Sequence, residues 1–307
     1  MKIVAIGDVN VDLIASVEDL PKRGRQVITN DFQIHGGGCA ANFAFACAKL
    51  GAEVKLFGKV GDDLFGRYVL AMLENNGVDV SNVLLSDEKT GATVAIVQGA
   101  ERSFITYRGT NATFSISDMN FEELRADLAH LSSFFLLEAL QRDYGEIVSS
   151  VDSLVSFDPG WDPFGWHPEK LRQLRGILPN IDIFFPNLDE ARRITGNRGP
   201  QQLIAELLDL GVKTIALKMG KKGSMVSDGK TTTRVAAFDV NAVDTTGAGD
   251  VFDAGFVVAY LSGKDLSECA MFANATAALS IGGIGWSAYG TLEDVNDFVR
   301  SHKVKEL

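Results

Sequence analysis

Short apolar segments recur along the chain, and most of them end abruptly in polar or glycine-rich residues. The first of these runs from Lys2 to Gly7. Similar runs end at Glu138, Asp158, Pro186 and Lys218. Amphipathic segments such as Gln201 to Leu210 lie between them and predict helices. Continuous apolar strands that alternate with helices are typical of a parallel sheet covered on both faces. We therefore expect a doubly wound α/β fold with a mostly parallel sheet.

Two segments, residues 13–36 and 90–112, follow a different pattern of alternating apolar and polar positions. In the second, Thr93 to Gln98 and Ser103 to Tyr107 flank a turn at residues 99–102, which predicts a β-hairpin with one wet face. We expect these two insertions to form a small antiparallel sheet, outside a main domain of residues 1–12, 37–89 and 113–307.

Composition and charge narrow the classes of function. The 307 residues carry a formal net charge of -11, which argues against nucleic acid as a partner because phosphate backbones require clustered cations. The three cysteines are odd in number and lack metal-site spacing, so a reduced cytoplasmic protein is expected. The chain opens on a strand pattern rather than a signal peptide, and its apolar runs are too short to predict a membrane span.

The stretch from Asp244 to Asp250 carries the strongest chemical signal. Gly247, Ala248 and Gly249 leave the backbone bare, and the apolar run that follows predicts a buried helix with Asp250 in its first turn. Exposed amides at a helix start bind anions, and a carboxylate beside them could accept a proton from an attacking hydroxyl. The pattern favours phosphoryl transfer, with a glycine-rich capped turn as the structural alternative. The P-loop and dinucleotide-binding motifs are absent from the sequence.

Polar and glycine-rich residues at other predicted strand ends point to the same place. Asn10 and Asp12 follow the first strand and share a side of an extended segment. A second glycine-rich helix entry, Gly36 to Gly38, precedes Asn42. In a doubly wound sheet all these ends meet at one rim, where ligands bind. Solvated turns are the alternative explanation for each feature alone.

These motifs together resemble those of the ribokinase-like (PfkB) carbohydrate kinase family, in order and over essentially the whole chain. The segment from Asp244 to Val257 resembles the second signature of the family, and Gly37 to Asn42 is similar to the first. Asp8 to Asp12 is similar to the N-terminal substrate motif, and Pro186 to Glu190 to the metal-associated motif. The resemblance implies ATP and Mg²⁺ as cofactors and a lid formed by the small sheet, which in several members also makes a homodimer.

The resemblance also implies a role for each matching residue. Asp250 would be the catalytic base, beside an anion hole at Gly247, Ala248 and Gly249. The implied substrate contacts are Asn10, Asp12, Gly37, Gly38, Asn42 and Glu138. The implied nucleotide contacts are Asn187, Lys218, Gly220, Gly223, Gly249 and Asn274. Asn187 and Glu190 would hold Mg²⁺, partly through water. The positions matching a K⁺ site in many members are Asp244, Thr246, Ser280, Gly283 and Gly285.

Several of these residues also have a structural interpretation. Glu138 could be a satisfied buried acid, Asn187 and Glu190 could form a helix cap, and Lys218 could be a surface residue. Trp161 and Trp166 are expected to pack their own loop rather than to bind a ligand. Arg108, in the lid segment, could lie on a solvated face or contact an anionic substrate.

The function predicted from the sequence is ATP-dependent phosphorylation of a hydroxyl, expected to be primary, of a small neutral sugar. A nucleoside kinase and a sugar-acid kinase are alternatives in the same class. A non-catalytic sugar- or nucleotide-binding sensor is the alternative from another class; it predicts loss of the base or of the anion-hole glycines, all of which are present. Neither a nucleic acid nor a membrane is an expected partner.

Overall fold

The computed structural model describes residues 1–98 and 101–302 of the chain. The strands in that part form two sheets and are numbered along the chain. They are β1 (Lys2–Ile6), β2 (Asn10–Ser16), β3 (Asp31–Gly37), β4 (Glu53–Gly61), β5 (Val78–Ser86), β6 (Gly91–Gln98), β7 (Glu101–Tyr107), β8 (Leu128–Leu131), β9 (Leu154–Phe157), β10 (Ile183–Phe184), β11 (Thr214–Lys218), β12 (Ser224–Ser227) and β13 (Thr232–Val235).

The helices cover both faces of the larger sheet, and several begin at residues whose side chains cap the helix. They are α1 (Cys39–Lys49), α2 (Leu64–Glu74), α3 (Tyr144–Ser150), α4 (Pro168–Ile177), α5 (Leu188–Thr195), α6 (Pro200–Asp209), α7 (Ala248–Leu261), α8 (Leu266–Ser280) and α9 (Leu292–Ser301). The Asp63 carboxylate accepts from the Gly66 amide at the start of α2, and Asp265 and Glu268 form a reciprocal cap on α8. Among the described residues, none of these helices is long and apolar enough to cross a lipid bilayer.

The larger sheet has nine strands in the order β13-β12-β11-β10-β9-β8-β1-β4-β5. Its neighbouring strands are parallel except at β12, which is antiparallel to both β11 and β13. Alternate residues of β1 enter different hydrophobic clusters, Ile3 and Ala5 the first, Val4 and Ile6 the second. The strand is therefore buried on both faces, and the predicted doubly wound, mostly parallel fold is confirmed.

The second sheet has four strands in the order β3-β2-β6-β7. Both hairpins, β2–β3 and β6–β7, are antiparallel, as predicted. The hairpins join through β2 and β6, which are parallel, so the small sheet is mixed although each of its hairpins is antiparallel. The predicted turn residues Gly99 and Ala100 lie outside the described part. The domain boundaries, and the assignment of this sheet as a lid, stay predictions.

One predicted strand is misplaced. The apolar run from Leu131 to Leu137 is not a strand; β8 ends at Leu131, and Ser133 then turns the backbone with a φ of 56°. Phe134 and Phe135 pack edge to face in the second hydrophobic cluster. Glu138 therefore stands on a loop beyond the sheet, and its side chain is 63% exposed, which also excludes the buried-acid interpretation.

Candidate active site

The N-terminus of α7 has the geometry expected of an anion site. Gly247 caps the helix in the left-handed region, with a φ of 73°. A Cβ at this position would lie 2.5 Å from the Tyr289 hydroxyl and 3.1 Å from Asn42 Nδ2, so the chain has no room for a side chain here. Asp250 follows in the first turn and is buried. Bare amides and a carboxylate thus stand side by side at the start of one helix.

The Asp250 carboxylate is held from a second helix. Asn42, in the first turn of α1, donates from Nδ2 to Asp250 Oδ2 at 2.8 Å. Trp286 in turn donates from Nε1 to Asn42 Oδ1 at 2.7 Å, which fixes the orientation of the amide. Burial raises the pKa of Asp250 to about 8, the Asp158 charge adds to the increase, and the hydrogen bond from Asn42 opposes it. A carboxyl group titrating near neutral pH is suited to accept a proton.

The segment that follows β1 forms a buried polar network on the other side of the site. Asn10 donates from Nδ2 to Asp8 Oδ2 at 3.1 Å, and its Oδ1 accepts from Asn111 Nδ2 at 2.6 Å. The Asn111 side chain also accepts from the Val9 amide at 3.1 Å, and Asp8 accepts from the Ala40 amide at 3.3 Å. The side chain of Asn10 is therefore held at both of its polar atoms by other protein side chains.

Asp12 lies beside this network and against the first glycine-rich turn. A Cβ on Gly37 would collide with the Asp12 carboxylate, and Gly38, with a φ of 94°, packs onto the Asp8 carbonyl. Burial raises the pKa of Asp12 to about 7, with the charges of Asp8 and Asp244 as further causes. The turn therefore brings Asp12, Asn42 and Asp250 to one rim of the main sheet, as the strand-end argument predicted.

Lys218, at the end of β11, is not a surface residue. Its ammonium lies 2.6 Å from Asp158 Oδ2 and 3.1 Å from Asp253 Oδ1, and its side chain is only 12% exposed. Burial alone would lower the pKa of Lys218, but the two carboxylates outweigh it and hold the pKa above its ordinary value. The same ammonium would lie 3.4 Å from a Cβ on Gly249, directly behind the amides of α7.

The pKa values of the two carboxyl groups around Lys218 are shifted in opposite directions. Lys218 holds the pKa of Asp158 below its ordinary value against the effect of burial. Burial raises the pKa of Asp253 well above its ordinary value, and the hydrogen bond between the two acids adds to the increase. One ammonium offsets the charge of one buried carboxylate, and the second carboxyl group is correspondingly harder to ionise.

Asn187 and Glu190 form a reciprocal cap at the start of α5. Asn187 Oδ1 accepts from the amides of Asp189 and Glu190, and Glu190 Oε2 accepts from the Asn187 amide at 2.8 Å. The capping interpretation is thus correct, and it leaves one Glu190 oxygen outside the cap. Within residues 1–98 and 101–302, His, Cys, Asp and Glu form no group of three or more that could hold a metal ion. An oxygen-only pair of this kind fits Mg²⁺, which keeps most of its water and takes few protein ligands.

The remaining predicted nucleotide residues surround the β11–β12 turn. Gly220 and Gly223 adopt left-handed φ values of 56° and 81°, and a Cβ on Gly223 would collide with the Val235 carbonyl. Asn274 on α8 donates to the carbonyls of Val235 and Ala236 at 3.3 and 3.1 Å. Its amide nitrogen therefore anchors the strand behind the turn.

Three of the predicted K⁺ positions, Asp244, Thr246 and Ser280, lie on adjoining segments. The amides of Val243 and Asp244 donate to the Ile281 carbonyl at 2.7 and 3.3 Å, which docks this segment on the end of α8 beside Ser280. The Thr246 amide donates to Asp244 Oδ1 at 2.8 Å. Gly285 adopts a φ of 56°. The assignment of a cation here stays a prediction.

Comparison with known proteins identifies the family. The profile described as pfkB family carbohydrate kinase matches residues 1–289. The chain belongs to the PfkB family. It is therefore an ATP-dependent carbohydrate kinase of the ribokinase-like type.

Relatives of this PfkB kinase cover most of its length. An uncharacterized sugar kinase of Archaeoglobus fulgidus is 34% identical over 76% of the chain and 93% of its own length. The ribokinase of Bacillus subtilis is 32% identical over 92% of the chain and 94% of its own length. A nucleoside kinase of Methanothermobacter thermautotrophicus is 28% identical over 91% of the chain and 89% of its own length.

Solved structures show the same fold. Ribokinase of Arabidopsis thaliana, complexed with ribose and ATP, superposes with a TM-score of 0.82 at 28% identity, over 97% of this chain and 98% of its own. An E. coli structure in complex with ATP and Mg²⁺ superposes with a TM-score of 0.88 at 25% identity, over 98% and 99% of the two chains.

Sequence reasoning missed the residues that hold the PfkB site in place. These are Asp8, Asn111, Asp158, Asp253 and Trp286. Asp158 and Lys218 both end strands that neighbour β10, so the rule of adjacent strand ends could have paired them. Trp286 carries no comparable signal, because nothing near it in the sequence indicates that it contacts Asn42.

Proposed function

We propose that this kinase transfers the γ-phosphoryl group of ATP to a hydroxyl, most simply a primary one, of a small sugar. Asp250 acts as the general base, and the amides of Gly247, Ala248 and Gly249 bind the transferred phosphoryl group. The observation that carries the proposal is the hydrogen bond from Asn42 to Asp250 at the bare N-terminus of α7.

The chemistry follows from this arrangement. A sugar hydroxyl is a poor nucleophile at neutral pH, and a carboxylate within hydrogen-bond reach accepts its proton as the new P–O bond forms. Asn42 donates to Asp250 Oδ2, which leaves Oδ1 to accept the proton of the acceptor hydroxyl. The amides of α7 stabilise the negative charge on the transferred group, and the positive end of the helix dipole adds to this stabilisation. Asn10, Asp12, Gly37 and Gly38 position the acceptor.

The nucleotide and metal residues complete the site. Asn187 and Glu190 would hold Mg²⁺, in part through water, and the ion would supply positive charge that offsets the charge of the phosphates. Gly220, Gly223 and Asn274 shape the turn against which the nucleotide lies. Asp244, Thr246, Ser280, Gly283 and Gly285 are the proposed K⁺ positions, which a dependence of turnover on K⁺ over choline would support.

Replacement of Asp250 tests the assignment. Asp250→Asn keeps the acceptor for Asn42 and removes the base, so we expect kcat to fall by about 10²–10⁴-fold. Because burial raises the pKa of Asp250 in the folded state, a neutral amide leaves the melting temperature unchanged or higher. Asp297→Asn on the exposed face of α9 is the control for loss of one carboxylate. Near-normal turnover by Asp250→Asn contradicts the proposal.

A nucleoside is the alternative acceptor. Trp161 and Phe164 stand about half exposed on the loop after Asp158, whereas Trp166 is buried. Exposed aromatic faces beside a site can stack on a base. ATP consumption measured against sugars, polyols, sugar acids and nucleosides separates these acceptors. A sensor that does not turn over predicts no consumption with any of them.

We further propose a homodimer formed through the second sheet. Phe32, Ile34, Ile105 and Tyr107 lie on one face of that sheet by register, and each is exposed. A contiguous apolar face of this kind indicates a protein interface. Light scattering of the wild type and of Ile105→Asp tests it, and a monomeric wild type excludes it. The cytoplasmic location stays an expectation from the cysteine content.

A further inference from the structure

Arg108 joins three segments at the edge of the candidate site. It directly follows β7, the last strand of the second sheet. Its guanidinium donates to Glu138 Oε2 at 2.9 Å, on the loop after β8. The same guanidinium lies 5.0 Å from the ring centroid of Phe164, on the loop after β9. An ion pair and a cation–π contact therefore fix its position from two sides.

The backbone of Arg108 places it on the acceptor side of the site. A Cβ on Gly91 would meet the Arg108 carbonyl at 2.8 Å and would also collide with the side chains of Asn10 and Asn111. Arg108 thus stands next to the network that holds Asn10. Lys218 lies beside Gly249, in the first turn of α7.

The charges described around the acceptor position are mostly negative. Burial raises the pKa of Tyr289, and the charges of Asp12, Asp244 and Asp250 add to the increase, so all three acids lie near this ring. Burial together with neighbouring carboxylates raises the pKa of Asp12 to about 7. An environment that opposes one more negative charge on Asp12 also opposes a negative charge on a ligand.

Two cations near the site, Lys218 and Arg108, are each paired with carboxylates. Lys218 is bound to Asp158 and Asp253, and Arg108 is bound to Glu138. Arg23 and Arg25 lie exposed on the loop between β2 and β3. An anionic acceptor that pairs with Arg108 would therefore have to displace Glu138 from it.

We infer that Glu138 is a specificity-determining residue, which neutralises Arg108 and restricts the acceptor to uncharged polyols and nucleosides, excluding sugar acids and sugar phosphates. The inference rests on the proposed function. Selectivity of this kind acts through repulsion of the wrong ligand as much as through attraction of the right one. The inference also assigns a role to Phe164, because its ring holds the Arg108 guanidinium in place whether or not Glu138 is paired with it.

The test compares an aldose with its own aldonic acid, which differ in charge on one carbon skeleton. For the wild type we expect a kcat/KM at least about tenfold higher for the neutral member. Glu138→Gln retains a hydrogen-bond acceptor for Arg108 and removes the charge. We expect this variant to raise the ratio of kcat/KM for the acid to kcat/KM for the aldose by about tenfold. Arg108→Gln combined with Glu138→Gln abolishes that gain, because the freed cation is gone.

Asp297→Asn is the matched control, since the Arg300–Asp297 pair has the same 2.9 Å separation on exposed α9. Equal or better use of the acid by the wild type overturns the inference. The inference also fails if the ratio of acid to aldose kcat/KM is no larger for Glu138→Gln than for Asp297→Asn. It fails as well if the increase in this ratio persists in the double variant that lacks Arg108. If the wild type phosphorylates neither the aldose, the acid nor a nucleoside, the proposed function fails instead, which is a distinct result.

Discussion

Replacement of Lys218 by Met tests the buried charge cluster behind the anion hole. The side chains are close in length, so the main change is loss of the ammonium between Asp158 and Asp253. Asp158 is then a buried carboxylate without a counter-charge and must take up a proton for the protein to stay folded. Holding a carboxyl with a usual pKa of 3.8 protonated at pH 7 costs about 4 kcal/mol, at about 1.4 kcal/mol per pH unit. Loss of one partner of a buried pair costs a similar amount, about 3–5 kcal/mol.

The dependence on pH distinguishes this cause from lost packing. In the wild type Lys218 lowers the pKa of Asp158, so the pair stabilises the fold above pH 3.8 and loses its effect as the pH falls through the folded pKa. The pKa of Lys218 is raised, so its contribution is complete below its usual value of 10.5. The difference in unfolding free energy between wild type and Lys218→Met should therefore grow by about 1.4 kcal/mol per pH unit from pH 4 to pH 7.

Urea unfolding at several pH values measures this difference. Lys213→Met is the matched control, because Lys213 lies 2.7 Å from Asp182 but its side chain is 65% exposed. An exposed pair contributes about 0–1 kcal/mol, with little dependence on pH in this range. If Lys218→Met loses no more stability than Lys213→Met, or if its loss is independent of pH, the charge assignment of the cluster is wrong.

Three further predictions concern the helix start and its base. Gly247→Ala forces a side chain into a left-handed position that is already filled, so we expect about 1–2 kcal/mol lower stability and a larger loss of kcat than of stability, checked by urea unfolding and kinetics. Trp286→Phe removes the donor to Asn42, and kcat should fall about tenfold, whereas exposed Trp161→Phe changes it little. Because Asp250 must be deprotonated, kcat/KM for the acceptor should fall tenfold per unit below about pH 8. Asn42→Ala shifts this limb to higher pH, since the Asn42 hydrogen bond lowers the pKa of Asp250; an unmoved limb contradicts the assignment.

The parts of the site that could be predicted from the sequence are those built locally. Gly247 and Asp250 lie in one helix turn, so bare amides and a nearby acid can be recognised without the fold. Asn10 and Asp12 follow a buried strand directly, and the rule that ligands bind at carboxyl strand ends then places them. In each case the physical requirement spans only a few residues.

The parts that could not be predicted depend on contacts over long separations. Trp286 lies 244 positions from the Asn42 that it orients, and Lys218 lies 60 positions from Asp158. Nothing in either neighbourhood distinguishes a buried partner from an exposed side chain. The strand predicted before Glu138 was wrong for another reason. An apolar run that packs aromatic rings around a turn has the same pattern as a buried strand.

The chain passes between the main sheet and the second sheet, the predicted lid, at four places beside the candidate site. β2 starts at Asn10, β3 ends at Gly37, β6 starts at Gly91 and Arg108 follows β7. All four connections therefore lie among the proposed acceptor contacts or in contact with them, and Asn111 ties two of them by hydrogen bonding to Asn10.

A rotation of the second sheet against the main sheet must pivot at these points. An acceptor that hydrogen-bonds Asn10 and Asp12 thus acts on the pivot itself, and its differential affinity for the two orientations is the free energy available for closing. The hydrogen bonds among Asn10, Asn111 and Asp8 make these points rigid. A loose pivot would let water reach Asp250, whereas a fixed one holds the acceptor hydroxyl against it.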